Sequence, residues 1–516
     1  MKELEALLGM VLAAVILAGL ARRAGAPYPV FLALGGALLG FVPGGPTFTV
    51  PPELALALFI APVLLDAAYD ASPRDLKDNW LALLGLVVMA VGLTTAAVAY
   101  VVHTLLPGIP WAAAIALGAV VAPPDAAAAT AVLRPLHPPH RILTILEGES
   151  LLNDASALLI YRLAVGAVAA QEFALGSVAP MFLLAVAGSF VVGPLLGWLF
   201  MRVVRNVEHV PTSILLQFVT TFGVWILAEH LGLSGVLTMV CYAVTVARIA
   251  PELTPARIRI PAYAVWETVV FVMNILAFIF IGLQIRPILE SLHPADRGPY
   301  FTGAAAVLAT VILVRIAWQM SFNLVIRRRD RQTGFHPPRP MLRPTAGSGL
   351  VISWAGMRGI VTLAAALALP AAFPYRDFIV LTSFAVVLGT LVIQGLTLGP
   401  LLCALELDDG DPIGHELEAA RARALEAGLA VFGREQNPET ELVRHEFTMH
   451  LSPHMHAHDE REGGSNSHTG LHRAALQAAR RAILAMRDSH EIGDDAFHKM
   501  EEELDWLEMS VPGGRE

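Results

Sequence analysis

Charge is what this 516-residue chain has little of: Asp, Glu, Lys and Arg make up 15% of it, against about a quarter of an average soluble domain. An ordinary soluble fold is excluded on that ground. Cysteine is scarcer still. Cys241 and Cys403 stand far apart at or within apolar segments, which leaves neither a disulfide framework nor a cysteine metal site. There is also no glycine-rich nucleotide loop, zinc-binding His pair or nucleophile elbow, so no enzyme, cofactor or nucleic-acid partner is expected. Apolar residues are what the chain has in plenty, 55% of it, with a mean hydropathy of +0.61. The expectation is an all-α polytopic membrane protein in a lipid bilayer.

Thirteen apolar segments are long enough to span: roughly 6–21, 28–43, 53–70, 79–103, 111–133, 142–168, 177–203, 211–230, 233–250, 262–285, 299–325, 346–370 and 377–403. The first resembles a signal peptide, but Arg22 and Arg23 follow its apolar run where none should stand, so it is kept as a helix. With the amino terminus outside, the alternate loops that fall inside hold 17 basic residues and the others hold 4. That imbalance predicts a cytoplasmic carboxyl terminus.

Beyond Cys403 the composition changes to that of a hydrated tail, with 24 acidic and 11 basic side chains in 404–516. The chain thus divides into a transmembrane part, 1–403, and a cytoplasmic acidic tail, 404–516, expected to regulate and not to transport. Amphipathic spacing predicts helices in 415–432 and 472–509, with a loop over 450–470. His445, His450, His454, His456, His458 and His468 are open to two readings, a metal- or pH-sensing cluster or a polar linker that happens to be histidine-rich.

The segment Gly148-Glu-Ser-Leu-Leu-Asn-Asp154 carries two carboxylates to a depth where an ionisable group costs about 2.5–3.5 kcal/mol. Helical spacing puts Glu147, Ser150 and Asp154 on one face, with Glu149 and Asn153 flanking it. A cation would find carboxylate, hydroxyl and amide oxygens together. Two spans are interrupted. Pro123 and Pro124 break the fifth beside Asp125, freeing carbonyls, and two glycines around Arg358 weaken the twelfth. Each break is fourth in its half when spans 2–6 and 9–13 are counted as two five-helix halves, which points to inverted repeats with a site between them. Arg315 and Arg358 read as neutralisers of buried carboxylates and supports for broken helix ends. Arg162, Glu229 and Glu267 read as snorkelling or capping residues, whereas neither Asp154 nor Asp125 is expected near a helix end.

Glu147-Gly-Glu-Ser-Leu-Leu-Asn-Asp154, the break at Pro124-Asp125, Trp354-Ala-Gly-Met-Arg-Gly359 and Gln394-Gly-Leu-Thr-Leu398 resemble, in order and spacing, bacterial sodium/proton antiporters of the NhaP type within the monovalent cation/proton antiporter superfamily. The resemblance covers about residues 6–403. It implies a thirteen-helix homodimer in the cytoplasmic membrane, with a dimerisation domain and a moving six-helix core. It also implies alternating-access exchange of one monovalent cation, Na+ before K+ or Li+, for H+, serving pH and sodium homeostasis. Asp154 is then the carboxylate that takes cation or proton, with Ser150 and the Pro124 carbonyl as ligands. Asp125 follows Pro124 where relatives have Thr-Asp-Pro, so a threonine hydroxyl is absent here. Asp66 stands where many relatives have glutamate, and its shorter arm is expected to reach the Na+ through a water. Glu149 resembles a glutamate paired with an arginine, here Arg315, in a structural ion pair. Asn153 beside Asp154 implies an electroneutral one-for-one cycle, with Asp125 as a possible second titrating group. A cation channel would more often show a carbonyl filter, and none is visible. A proton-coupled carrier of organic solutes would want more aromatic residues at its site.

Overall fold

The computed structural model describes residues 2–42, 51–170, 175–333, 344–407, 409–432 and 466–510, with isolated positions 441, 444, 445 and 448. Every regular element among them is helical, as a backbone in lipid requires when it must satisfy its own hydrogen bonds. In chain order these are α1 (Lys2–Arg23), α2 (Tyr28–Gly40), α3 (Pro52–Asp70), the short α4 (Pro73–Asp78), α5 (Trp80–Leu105), α6 (Trp111–Val121), α7 (Ala126–Leu133) and α8 (His140–Ala170). They continue with α9 (Leu175–Val204), α10 (Val210–His230), α11 (Gly235–Leu253), α12 (Ala256–Leu283), α13 (Ile285–Ser291), α14 (Arg297–Thr333), α15 (Ala346–Trp354), α16 (Ile360–Leu367) and α17 (Arg376–Leu405). Each apolar segment read from the sequence is largely helical where described, the fifth and twelfth with a break inside them. Nine helices among the described residues are long and apolar enough to cross a membrane. The segments outside that set are α1, α2, which is 13 residues long, α3, and the pair α15 and α16, each too short alone.

The helices pack as two bodies. α1, α2 and α3 gather with α9 to α12, while α5 to α8 gather with α14 to α17, and α3 and α11 meet the second body along the seam. Within the first body α2 and α12 come close enough for backbone to touch backbone. A side chain at Gly36 would strike the Ile279 carbonyl, and one at Gly282 would strike Ala33 and Ala37. Small residues at a helix crossing are what permit such an approach in lipid, where no hydrophobic effect drives helices together.

α17 runs to Leu405, and the described residues beyond it include three long helices: α18 (Pro412–Ala430), α19 (Asn466–Asp488) and α20 (Asp494–Ser510). Ala420, Phe432, Ile483, Phe497 and Leu504 give them an apolar core of their own. α19 takes the last five residues of the stretch read as a loop, because its apolar stripe extends back to Leu471 and the helix carries one more turn ahead of it. Of the histidines singled out, His445 is exposed, His468 lies on α19 with its side chain outside the described set, and His450, His454, His456 and His458 lie outside the described residues.

Candidate ion site

Pro123 and Pro124 have no N–H to donate, so α6 ends at Val121 and its last carbonyls lose their intrahelical partners. One side chain collects them. Arg358, only 1% exposed, donates Nε to the Val121 carbonyl at 3.0 Å and Nη2 to the Ala122 carbonyl at 2.9 Å; Nη1 reaches the Gly356 carbonyl. A fixed cation thus sits at the negative end of a half-helix, where it is stabilised. Arg358 itself comes from the second break, the extended stretch 355–359 between α15 and α16, and its backbone N–H donates to Thr390 Oγ1 at 3.1 Å. The breaks are joined again through Asp125, whose N–H donates to the Met357 carbonyl at 2.7 Å.

Asp125 caps α7: its Oδ1 accepts from Ala127 N–H at 2.9 Å, and its Oδ2 lies where a side chain on Gly359, the residue before α16, would have to go. The expectation that Asp125 is far from a helix end is therefore wrong. The double proline ends one helix so abruptly that the next residue but one starts another. The carboxylate stands between the positive ends of two half-helices, a favourable place for negative charge.

α8 presents its polar face to this crossing. Ser150 Oγ accepts from Ala126 N–H at 3.3 Å, and Asn153 Nδ2 donates to the Pro124 carbonyl at 3.3 Å, so the two residues, three apart, serve adjacent groups of the break. The other amide atom, Asn153 Oδ1, is buried without a hydrogen-bond partner. Asp154 follows, 6% exposed, and its carboxylate has no hydrogen-bond partner among the described residues. It faces a cavity of about 10 Å³ lined also by Pro123, Ala157, Tyr161, Val361 and Ala365, about the space one water needs. Two residues of that lining are joined where the Tyr161 hydroxyl donates to the Ala365 carbonyl at 3.0 Å. Asp125 is the charge that Asp154 feels.

Asp66 is joined to this point by no hydrogen bond among the described residues. It sits half-buried on α3, among the charges of Asp70, Arg134, Glu147 and Glu267, where Arg134 Nη2 bonds Glu147 at 2.9 Å. Glu147 thus leaves the face it shares with Ser150 and Asp154 to join an accessible polar rim. Glu149 is 1% exposed and meets Arg315 through two bonds, and Arg315 Nη2 also donates to the Ile352 carbonyl at 3.1 Å, near the end of α15. Arg162 and Glu229, read as separate snorkelling groups, pair with each other at 3.0 Å between α8 and α10. The pairing links two different segments, which no spacing within one segment reveals. Thr390 and Tyr161 escaped sequence reading, since a hydroxyl on an apolar helix carries no signal of what it faces.

A family model described as sodium/hydrogen exchanger, transmembrane, matches residues 10–404. The chain is 29% identical over 521 residues to the Na+/H+ exchanger YjcE of Escherichia coli K12, covering 93% of both chains. It is 30% identical over 539 residues to the Na+/H+ exchanger Rv2287 of Mycobacterium tuberculosis H37Rv, covering 98% of this chain and 96% of that one. Over 73% of its length it is 30% identical to the sodium, potassium, lithium and rubidium/H+ antiporter of Bacillus subtilis 168, of which 58% is covered. Its fold is similar to that of the sodium proton antiporter MjNhaP1 of Methanocaldococcus jannaschii, with a TM-score of 0.61 at 18% identity, covering 78% of this chain and 99% of that one.

Proposed function

The chain belongs to the sodium/hydrogen exchanger family, and from that premise we propose that Asp154 is the group for which a monovalent cation, Na+ first, and H+ compete. Monovalent cation/proton antiport is secondary transport and needs no catalytic group or cofactor. The observation that carries the assignment is the Asp154 carboxylate itself, buried and without a hydrogen-bond partner beside two interrupted helices. Every other polar group there is already engaged on one side. A bare buried carboxylate is costly, so it will be covered by a proton or a cation at each crossing.

Ser150 Oγ, the Pro124 carbonyl and Asn153 Oδ1 are the oxygens near enough along α8 and the break to complete the shell of Na+. Asp125 shapes the field from its cap position. Asp66, Glu147 and Glu267 form an acidic approach that concentrates cations before they reach Asp154. Arg358 and the Glu149–Arg315 pair hold the frame. The body containing α5 to α8 and α14 to α17 moves against the other, exposing Asp154 to each side in turn. A homodimer in the cytoplasmic membrane, with the amino terminus outside and the acidic tail in the cytoplasm, is supported by the loop charges and by family resemblance. K+ is the second reading, favoured by the breadth of cations in the name of the Bacillus relative.

Dissipation of a proton gradient in everted vesicles, tested with each alkali ion, measures the exchange. Asp154→Asn should abolish it for every ion while expression and folding persist. Exchange that survives this substitution removes Asp154 from the centre of the mechanism.

A further inference from the structure

The three helices after α17 touch both bodies at once. On the side of the broken helices, Arg74 Nη2 donates to both oxygens of Glu416 on α18 at 2.9 Å. Asp409 Oδ2, just ahead of α18, accepts the backbone N–H of His140 at 2.6 Å, and Asp495 Oδ2 of α20 lies 3.5 Å from His140 Nδ1. Arg74 lies on α4, which is tied to α8 where Arg141 Nε donates to Asn79 Oδ1 at 3.1 Å, and α8 carries Ser150, Asn153 and Asp154. On the other side, Arg259 near the start of α12 donates Nε to Asp505 Oδ2 at 2.8 Å and lies 3.0 Å from Glu501, all three buried. Asp495, Glu501 and Asp505 belong to one 17-residue helix, α20. A single rigid rod therefore grips one body near its start and the other near its end.

We propose that α20 is a brake that staples the two bodies together, and that His140 is its proton-operated latch. The proposal rests on the reading that the bodies shift against each other during exchange. Both ring nitrogens of His140 face carboxylate oxygens, Nε2 toward Asp75 Oδ2 at 3.3 Å and Nδ1 toward Asp495 Oδ2 at 3.5 Å. Ionised carboxylates only accept, so satisfying both requires an N–H on each nitrogen, and only the imidazolium has two. Neutral imidazole turns a lone pair toward one carboxylate. Asp495 is the one released, because its side chain is 44% exposed and water can take it, whereas Asp75 at 3% has no such exit. Among the described residues, the charged groups around the ring are Asp75, Asp409, Glu416 and Asp495 against the one cation Arg74, which is committed to Glu416 and lies 3.4 Å from Asp75. Thr144 Oγ1 is the remaining polar neighbour, 3.3 Å from Nε2. The Arg259 grip does not titrate. Alkaline pH thus frees one leg of the staple and leaves the other attached, so exchange accelerates when import of protons is useful.

The test uses the full chain in proteoliposomes, with exchange and hydrogen exchange of residues 494–510 measured at pH about 6 and about 8.5, either side of an ordinary histidine. Asp495→Asn should raise exchange at the acidic pH on the order of 5-fold, a usual size for coupling between sites, loosen α20 there, and match the wild type at the alkaline pH. His140→Lys, which keeps a positive charge at both pH values, should stay slow and protected at the alkaline one. A wild-type pH profile in both variants overturns the latch. Loosening of α20 in Asp495→Asn without faster exchange overturns the brake while leaving the docking intact. Loss of exchange in Asp154→Asn alone, with α20 protection unchanged, shows that the transport site and the brake are separate.

Discussion

The guanidinium of Arg315 meets the carboxylate of Glu149 as a fork on a fork, Nη1 to Oε1 at 2.6 Å and Nη2 to Oε2 at 2.8 Å, with both side chains out of solvent. Breaking such a pair from one side leaves a buried charge without compensation and costs about 3–5 kcal/mol. Glu149→Gln and Arg315→Met should therefore each melt well below the wild type in detergent. The double variant should recover part of the loss, less the bond from Arg315 to the Ile352 carbonyl. Single variants that melt like the parent would show that the pair contributes nothing.

Gly359 is required by space. A methyl group there would occupy the position of the Asp125 carboxylate, which caps α7. Gly359→Ala should displace Asp125, lose a cap worth about 1 kcal/mol, and lower exchange at least tenfold while the protein still assembles. Gly223→Ala, at a glycine with open space around it, is the control and should behave as the parent. Equal exchange in the two variants would separate Asp125 from the transport site.

One titrating carboxylate means one charge exchanged for one charge. Asp125 is engaged at its cap, Asn153 is uncharged and Asp154 alone is free to change partners. Membrane voltage, at about 2.3 kcal/mol per elementary charge per 100 mV, should then leave the rate unchanged. In liposomes with a valinomycin-set potassium potential and Na+ as the test ion, proton flux that follows voltage would make Asp125 a second proton carrier.

Docking of the tail should have an optimum in pH. Burial pushes Glu501 up, but contact with His498 and the charge of Arg259 outweigh it and leave the carboxyl below its ordinary range. Its contribution is complete above the ordinary glutamate value and is lost as pH falls through the lowered one. Burial pulls His498 down, yet Glu501 at 3.6 Å and Asp70 overcome this and hold the imidazole above 6.5. That contribution is complete below 6.5 and is lost as pH rises through the raised value. At pH about 6 α20 should be less protected against hydrogen exchange in His498→Gln than in the parent, and the difference should shrink as pH rises through the raised value. Equal protection of the two at the acidic pH removes His498 from the seam.

The helices, both interruptions and the Glu149–Arg315 partnership were legible in the sequence, because apolar length, paired prolines and a buried charge each leave a local or family-specific mark. What joins the pieces was not. That Arg358 gathers the carbonyls of α6, more than two hundred positions away, depends on how two breaks meet in space. Asp66 lies on α3 among the charges of Asp70, Arg134, Glu267 and Glu147, and nothing in the spacing of α3 fixes which neighbours its short arm meets. The contacts of Arg74, His140 and Arg259 with the tail were invisible, because ordinary loop basics and a helix-start histidine look the same whether or not acidic helices cover them.

The bond from the Asp125 N–H to the Met357 carbonyl runs one way across the crossing, and the bonds from Arg358 to Val121 and Ala122 run the other. Each severed helix thus completes its neighbour, and pulling the halves apart would strip several buried groups at once. The place that looks weakest in the primary sequence is therefore densely cross-bonded in the folded chain. In the proposed cycle the crossing then has no door of its own: it moves as one piece, and which compartment it serves is decided by the walls it slides past.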